Sequence, residues 1–291
     1  MRSSDDKLVV MQDAFAYCAE LVRTADRDRF LSSLFAPAEH RAALHALYAF
    51  NVEVARVREV AREPLPGEIR LQWWSEVVNG ERAEEAAANP VASSLLAVIE
   101  RHRLATAALT ALVDARCFDL YDDPMARLTD LDAYARKTSS ALIALAAQIL
   151  AGGEAEAIEA VAGPAGIAYA IAGLLRAFPL HASRHQLYLP LEIIERNGVD
   201  PQDIFAGRSP DGLLAAFAEL RDVARRHLFA AHQHMATLPD AALPAFLPVA
   251  LVRPSLDRQT RRDPFAPAEL SPWRRQWLIW RAARNPARIA G

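Results

Sequence analysis

Leu44-His-Ala-Leu-Tyr-Ala-Phe-Asn-Val-Glu-Val-Ala-Arg-Val-Arg-Glu59 lies inside residues 38–62, which read as one long helix stopping before Pro64 and Pro66. The residue ahead of a proline is pushed out of the helical region, so the end of this helix is marked in advance. Glu53, Arg56 and Glu59 stand three residues apart, and Arg56 can reach both acids across a partly exposed face. Such pairs are worth only a few tenths of a kcal/mol. Glu53 points roughly half a turn away from Ala55 and Glu59.

A second stretch, Gly166-Ile-Ala-Tyr-Ala-Ile-Ala-Gly-Leu-Leu-Arg-Ala-Phe-Pro-Leu-His-Ala-Ser-Arg-His-Gln-Leu-Tyr-Leu-Pro190, continues a helix expected over 155–178. Pro179 is expected to break or kink it, leaving His181 to His185 as a polar loop. Elsewhere the same periodicity predicts helices over 7–24, 28–35, 67–80, 92–115, 131–151, 210–237 and 241–252. In the first of these, Leu8, Met11, Ala14, Phe15, Cys18 and Leu21/Val22 form one apolar face. Asn89-Pro90, Asp122-Asp123-Pro124, Gly152-Gly153, Asn197-Gly198 and Ser209-Pro210 punctuate the series. Alternating strands, solenoid repeats and linker-like segments are not found, so one compact all-α domain over 1–291 is expected.

Composition agrees. At 52% hydrophobic with only 11 glycines in 291 residues, the chain can bury a large helical core. A formal charge of −3 gives no global pull towards nucleic acid. Cys18 and Cys117 fit no metal-ligand spacing and suggest a reducing compartment. The N-terminus lacks the apolar core of a signal peptide. The longest apolar run, taken as Ala141 to Gly153, falls short of the roughly 20 residues that cross a bilayer. A cytoplasmic protein is therefore expected.

The two stretches, with Gly67-Glu-Ile-Arg-Leu-Gln-Trp-Trp74 between them, closely resemble the squalene/phytoene synthase family over roughly residues 10–250. That resemblance implies an isoprenoid-synthase-type helical bundle around a central cavity. Active members condense two prenyl diphosphates head to head on magnesium ions held by aspartates, because a diphosphate's charge needs hard cations and their carboxylate ligands. Carried over from Tyr48-Ala49-Phe50, the first set of aspartate positions falls on Ala55, Arg56 and Glu59. Carried over from Tyr188-Leu189-Pro190, the second set (Asn, Arg, Asp, Asp) falls on Gly173, Arg176, Ala177 and His181. Only Glu59 keeps a carboxylate, and an arginine in the middle repels metal. Both motifs are thus degenerate, with no catalytic and no metal-ligating residue assigned. Tyr48, Asn51, Glu53, Arg70, Gln72, Trp73, Arg176, Arg184 and Tyr188 remain as candidate pocket or ligand-binding residues.

Other features carry alternatives. His181 and His185 have helical metal-ligand spacing, but no third ligand is evident. Arg176 and Arg184 can attract a phosphate or lipid head group, or pair with acids on neighbouring helices. Asp119-Leu-Tyr-Asp-Asp123 is read as a solvated turn, because acids at a helix C-terminus oppose the macrodipole. The small residues of Tyr134 to Leu142 permit close approach of a lipid tail or a neighbouring helix. In the basic, aromatic tail 271–291, Trp273, Trp277 and Trp280 form a stripe flanked by Arg274, Arg275, Arg281 and Arg284. The stripe suits an interfacial membrane helix, or a last helix packing its indoles onto the domain.

The substitution pattern resembles the aspartate-depleted branch of the family, which includes a mitochondrial assembly factor for respiratory complex I. The resemblance thus implies a non-catalytic assembly or lipid-binding scaffold without cofactor, with a respiratory-complex subunit or an isoprenoid or quinone lipid as partner. Peripheral contact with the inner membrane is the accompanying alternative to a purely cytoplasmic location. An active magnesium-dependent prenyltransferase making squalene, phytoene or a related isoprenoid is the rival, with Glu53, Glu59 or Asp119 as displaced ligands. A carrier that uses the old cavity without chemistry is the third reading.

Overall fold

Asn89 accepts backbone N–H bonds from Val91 and Ala92 at 2.9 and 3.0 Å, and Pro90 fills the first helical position behind it. That arrangement supplies an acceptor for orphan donors and a residue that lacks one. The computed structural model describes residues 2–61, 63–152, 155–259, 263–266 and 268–291, with side chains from residue 9 onward. Arg62 and Gly153, which figure in two sequence expectations, lie outside the described residues. In chain order the helices are α1 (Arg2–Ala25), α2 (Arg27–Ser33), α3 (Ala38–Ala55), α4 (Val57–Val60), α5 (Pro64–Val78), α6 (Ala83–Ala88), α7 (Pro90–His102), α8 (Thr106–Arg116) and α9 (Leu128–Ala135). They continue as α10 (Ala141–Ala151), α11 (Ala155–Ser183), α12 (Leu191–Arg196), α13 (Pro201–Phe205), α14 (Asp211–His234), α15 (Leu243–Phe246), α16 (Val252–Gln259) and α17 (Pro272–Arg284). No strand occurs among the described residues, so the all-α expectation holds.

Several helices depart from the sequence reading. Residues 38–62 are not one helix: α3 ends at Arg56, whose φ of −92° and ψ of 2° leave the helical region. The cause is tertiary, since Val57 is buried and Arg58 donates to the Leu120 carbonyl at 2.9 Å. Residues 92–115 turn a corner at left-handed Arg103 (φ 51°), whose carbonyl accepts from Gln148 at 3.3 Å. Residues 131–151 contain a wide π-type turn over Arg136–Ser140. Pro179 does not end α11, which runs on to Ser183 and so carries His181. Phe178 beside it packs edge-on against Phe217 at 4.9 Å and against Phe265 at 5.2 Å. That packing offsets the one backbone bond the imino acid forgoes.

The chain builds two compact units, each from three segments. The first comprises Met1–Tyr121, Ala141–Ile158 and Pro239–Leu247. There α3 lies against α1, α7 and α10, while α5 packs on α8. Leu44, Leu47, Phe50, Trp74, Leu95, Leu109 and Leu112 are among its fully buried side chains of large volume. As the apolar face of α1 predicts, Ala14, Cys18 and Val22 are buried.

The second unit comprises Asp122–Ser140, Glu159–Leu238 and Pro248–Gly291. The Ser140 hydroxyl donates to the Gly163 carbonyl at 2.7 Å. A Cβ on Gly166 would stand 2.3 Å from the Ser140 Cα, so only glycine lets α11 approach the wide turn this closely. The small residues of 134–142 therefore admit a neighbouring helix. The most apolar long element is α11 and not 141–153. By length and hydropathy it could cross a bilayer, but most of its apolar window is buried within the protein.

Candidate functional site

The degenerate first motif lies in the first unit, at the end of α3 and along α4. Ala55 closes α3, and the exposed Arg56 side chain places its Nε 3.5 Å from Glu59. Glu53 pairs elsewhere: Arg70 of α5 donates to it at 3.2 Å. The lattice expected within one helix is thus divided between two, with Arg56 on Glu59 alone. Asp119, expected in a solvated turn, is buried, and Arg116 holds its carboxylate at 3.1 Å. The expectation does hold for its exposed neighbours Tyr121, Asp122 and Asp123. Each of the three acids proposed as displaced magnesium ligands therefore already faces a guanidinium.

Behind this face, Arg70-Leu-Gln-Trp-Trp74 braces α3. Trp74 is fully buried and meets Phe50 edge-on at 5.3 Å. Trp73 stacks edge-on upon Trp74 at 4.9 Å and donates its indole N–H to Glu85 at 2.8 Å. Gln72 donates to Glu76 at 3.0 Å. Gln72 and Trp73 line a cleft of about 630 Å³ with Ile69, Val113 and Asp114. Tyr48 and Asn51 are buried, and the Arg29 guanidinium sits 5.7 Å from the Tyr48 ring centre. Tyr48 and Asn51 are thus wall, while Arg70, Gln72 and Trp73 remain accessible.

The degenerate second motif lies in the second unit. Gly173 of α11 opens onto free space, since an added Cβ would meet nothing within 4 Å. Arg176, Ala177 and His181 follow at half-buried positions. The His181 ring packs on Tyr188 at 4.6 Å, and Tyr188 in turn on Tyr134 at 6.2 Å. His185 takes a left-handed backbone (φ 58°) and lays its ring against Phe205 at 5.3 Å. The two histidines thus serve different aromatic neighbours rather than one metal. Arg184 is exposed.

Magnesium carrying a diphosphate is held by protein carboxylates brought to one point beside the phosphates, commonly one or two to each ion. Among the described residues no three His, Cys, Asp or Glu side chains gather in this way. Ala55 and Arg56 in one motif, and Gly173, Ala177 and His181 in the other, offer no carboxylate at all. These residues do not fit the ion.

Two further arrangements escaped the sequence reading. His45 is buried beside Ser33, with Nε2 at 2.8 Å from the hydroxyl, and is stacked on Phe30 at 5.4 Å. Ser33 gives its proton to the Phe30 carbonyl at 2.7 Å, so the imidazole N–H is the donor to Ser33. Burial, and secondarily Arg41, hold the imidazole down at about 4. In the second unit, Arg253 and Arg288 join Arg274 and Arg281 around a cleft of about 340 Å³. These four are scattered over 36 positions of sequence, so no local motif announces them. The tail itself forms helix α17, with Trp273 turned to solvent and Trp277 and Trp280 half exposed.

A family model described as squalene/phytoene synthase matches residues 22–281. Human NADH dehydrogenase (ubiquinone) complex I, assembly factor 6 is 34% identical over 247 residues, spanning 85% of this chain and 74% of the relative. The Drosophila melanogaster homolog is 28% identical over 273 residues, spanning 89% and 80%. Among solved structures, a dehydrosqualene synthase in complex with ligand superposes with a TM-score of 0.83 at 16% identity, covering 96% of this chain and 98% of the other. Squalene synthase HpnC from Alicyclobacillus acidocaldarius gives 0.75 at 21% identity, covering 89% and 97%. The fold is thus the isoprenoid-synthase bundle anticipated from the two quoted stretches.

Proposed function

We propose, from the premise that the chain belongs to the squalene/phytoene synthase family, that it is a non-catalytic member acting as an assembly factor for the respiratory NADH dehydrogenase. The observation that carries this reading is the state of the spare acids. Glu53 lies on Arg70, Glu59 on Arg56 and Asp119 on Arg116, at 3.2, 3.5 and 3.1 Å. A magnesium–diphosphate complex arriving there would meet carboxylates whose charge is already neutralised by guanidiniums. The assembly role rests on relatives named complex I assembly factor 6, which span most of this chain. We propose no cofactor, a subunit of the respiratory complex as partner, and no role for nucleic acid. A location at the membrane that houses the complex follows, with peripheral contact through Trp273, Trp277 and Trp280.

Two measurements test the reading. Incubation of the purified protein with farnesyl and geranylgeranyl diphosphates and magnesium is expected to give no product; turnover would reject the non-catalytic half. Deleting the chain in its host is expected to lower both assembled NADH dehydrogenase on native gels and NADH-driven quinone reduction. Restoration by the wild type and by an Arg56→Ala variant completes the expectation, and an unchanged complex would reject the assembly half.

A further inference from the structure

We propose that the arginine-lined cleft between α16 and α17 binds the phosphate of an anionic phospholipid, while the tryptophan face of α17 lies in the membrane interface. This rests on the peripheral-membrane part of the reading above and is independent of the assembly role. Helix α17 presents three faces. Ile279 and Ala282, each 1% exposed, anchor it to its own unit. Trp273, Trp277 and Trp280 are 82%, 50% and 47% exposed along a second face. Arg274, Leu278 and Arg281, one position further round, line the cleft together with Arg253, Asp257 and Arg288.

The charge in this cleft is unbalanced. Its one side-chain carboxylate, Asp257, is taken by Arg225 from outside at 3.2 Å, and the last residue, Gly291, also lines it. Among the described residues no carboxylate lies within ion-pair distance of Arg253, Arg274, Arg281 or Arg288. Four guanidiniums around one hollow repel each other unless an anion enters, and their planar forks suit phosphate oxygens. The indoles point the same way. Arg281 and Arg284 sit over the Trp277 and Trp280 rings at 4.6 and 5.1 Å, a cation–π arrangement that holds the rings beside the charges. An adjoining cleft of about 520 Å³ shares Arg253 and Asp257, and on its wall Phe229 is 62% exposed. Free phosphate would satisfy the arginines but leave three large rings in water. A membrane surface satisfies both at once, because indoles settle at head-group depth and arginines meet anionic lipid.

The test is flotation of the full chain with phosphatidylcholine vesicles, with and without about 30 mol% phosphatidylglycerol, a content sufficient for a negative surface potential. Strong binding is expected to the anionic vesicles and weak binding to the neutral ones. Arg274→Gln and Arg281→Gln should each lower anionic-vesicle binding roughly fivefold and leave neutral-vesicle binding unchanged. Combined Trp273→Ala and Trp277→Ala should lower both. Both helix faces are solvent-facing, and an unchanged far-UV spectrum and melting point certify each variant's fold. Equal binding to both vesicles, indifferent to the arginine variants, would overturn the phosphate cleft and leave the membrane contact standing. Absence of binding to either vesicle would overturn both. Inorganic phosphate raising the melting point of a protein that ignores vesicles would overturn the lipid assignment.

Discussion

His45 shows how one buried residue fixes a pH dependence for the whole chain. Its imidazole is kept neutral down to about 4 by burial, with Arg41 adding repulsion. In the unfolded chain it takes up a proton near its ordinary value of 6.5. The folded-state value is depressed, so the stability contribution is complete above pH 6.5 and is lost as pH falls towards 4. The loss amounts to about 3 kcal/mol for a shift of this size. Urea unfolding at pH 7.5, 6, 5 and 4 should show the decline, and His45→Gln should flatten it between 6.5 and 4. A wild-type profile with the same slope as the variant would remove His45 as its source. At the same scale, Arg70→Ala is expected to cost less than about 1 kcal/mol, because its pair with Glu53 is half-exposed.

At the level of helices, two positions bear most weight. Trp74→Ala would strip the brace between α5 and α3, removing the ring that meets Phe50. A loss of about 3–5 kcal/mol in chemical denaturation is expected for an indole this deeply buried. Gly166→Ala would press a methyl into the backbone of Ser140. About 1–3 kcal/mol is expected for overpacking against atoms that cannot move aside. These positions also mark what the sequence could reveal. Asn89-Pro90 announced a helix start because cap chemistry is local, whereas the contact of Trp74 with Phe50 of α3 shows only in the fold. The breaks at Arg56 and Arg103 carry neither glycine nor proline. They are held by distant partners: Arg58, just past the first break, reaches the Leu120 carbonyl 62 residues on, and Arg103 meets the Gln148 amide 45 residues on. Pro179 misled in the opposite direction, since its helix persists through the packing of Phe178. The degenerate motifs were readable as missing letters. That Glu53 is neutralised by Arg70, 17 residues away, was not.

At the scale of the whole molecule, the order in which the chain visits its two units matters most. The first unit draws on Met1–Tyr121 but is completed by Ala141–Ile158 and Pro239–Leu247. A fragment ending at Tyr121 would therefore leave the face of α3 that α10 covers open to water. Expressed alone, residues 1–121 should aggregate or give a broad, non-cooperative urea transition. A sharp one would contradict the assignment of α10 to that unit. The same threading bears on how the gene can be rearranged. Neither half exists as a movable cassette, so fusion, shuffling or proteolytic release cannot pass one on without the other. Any partner that captures the nascent polypeptide must wait until synthesis has passed Leu247 before the first unit can close.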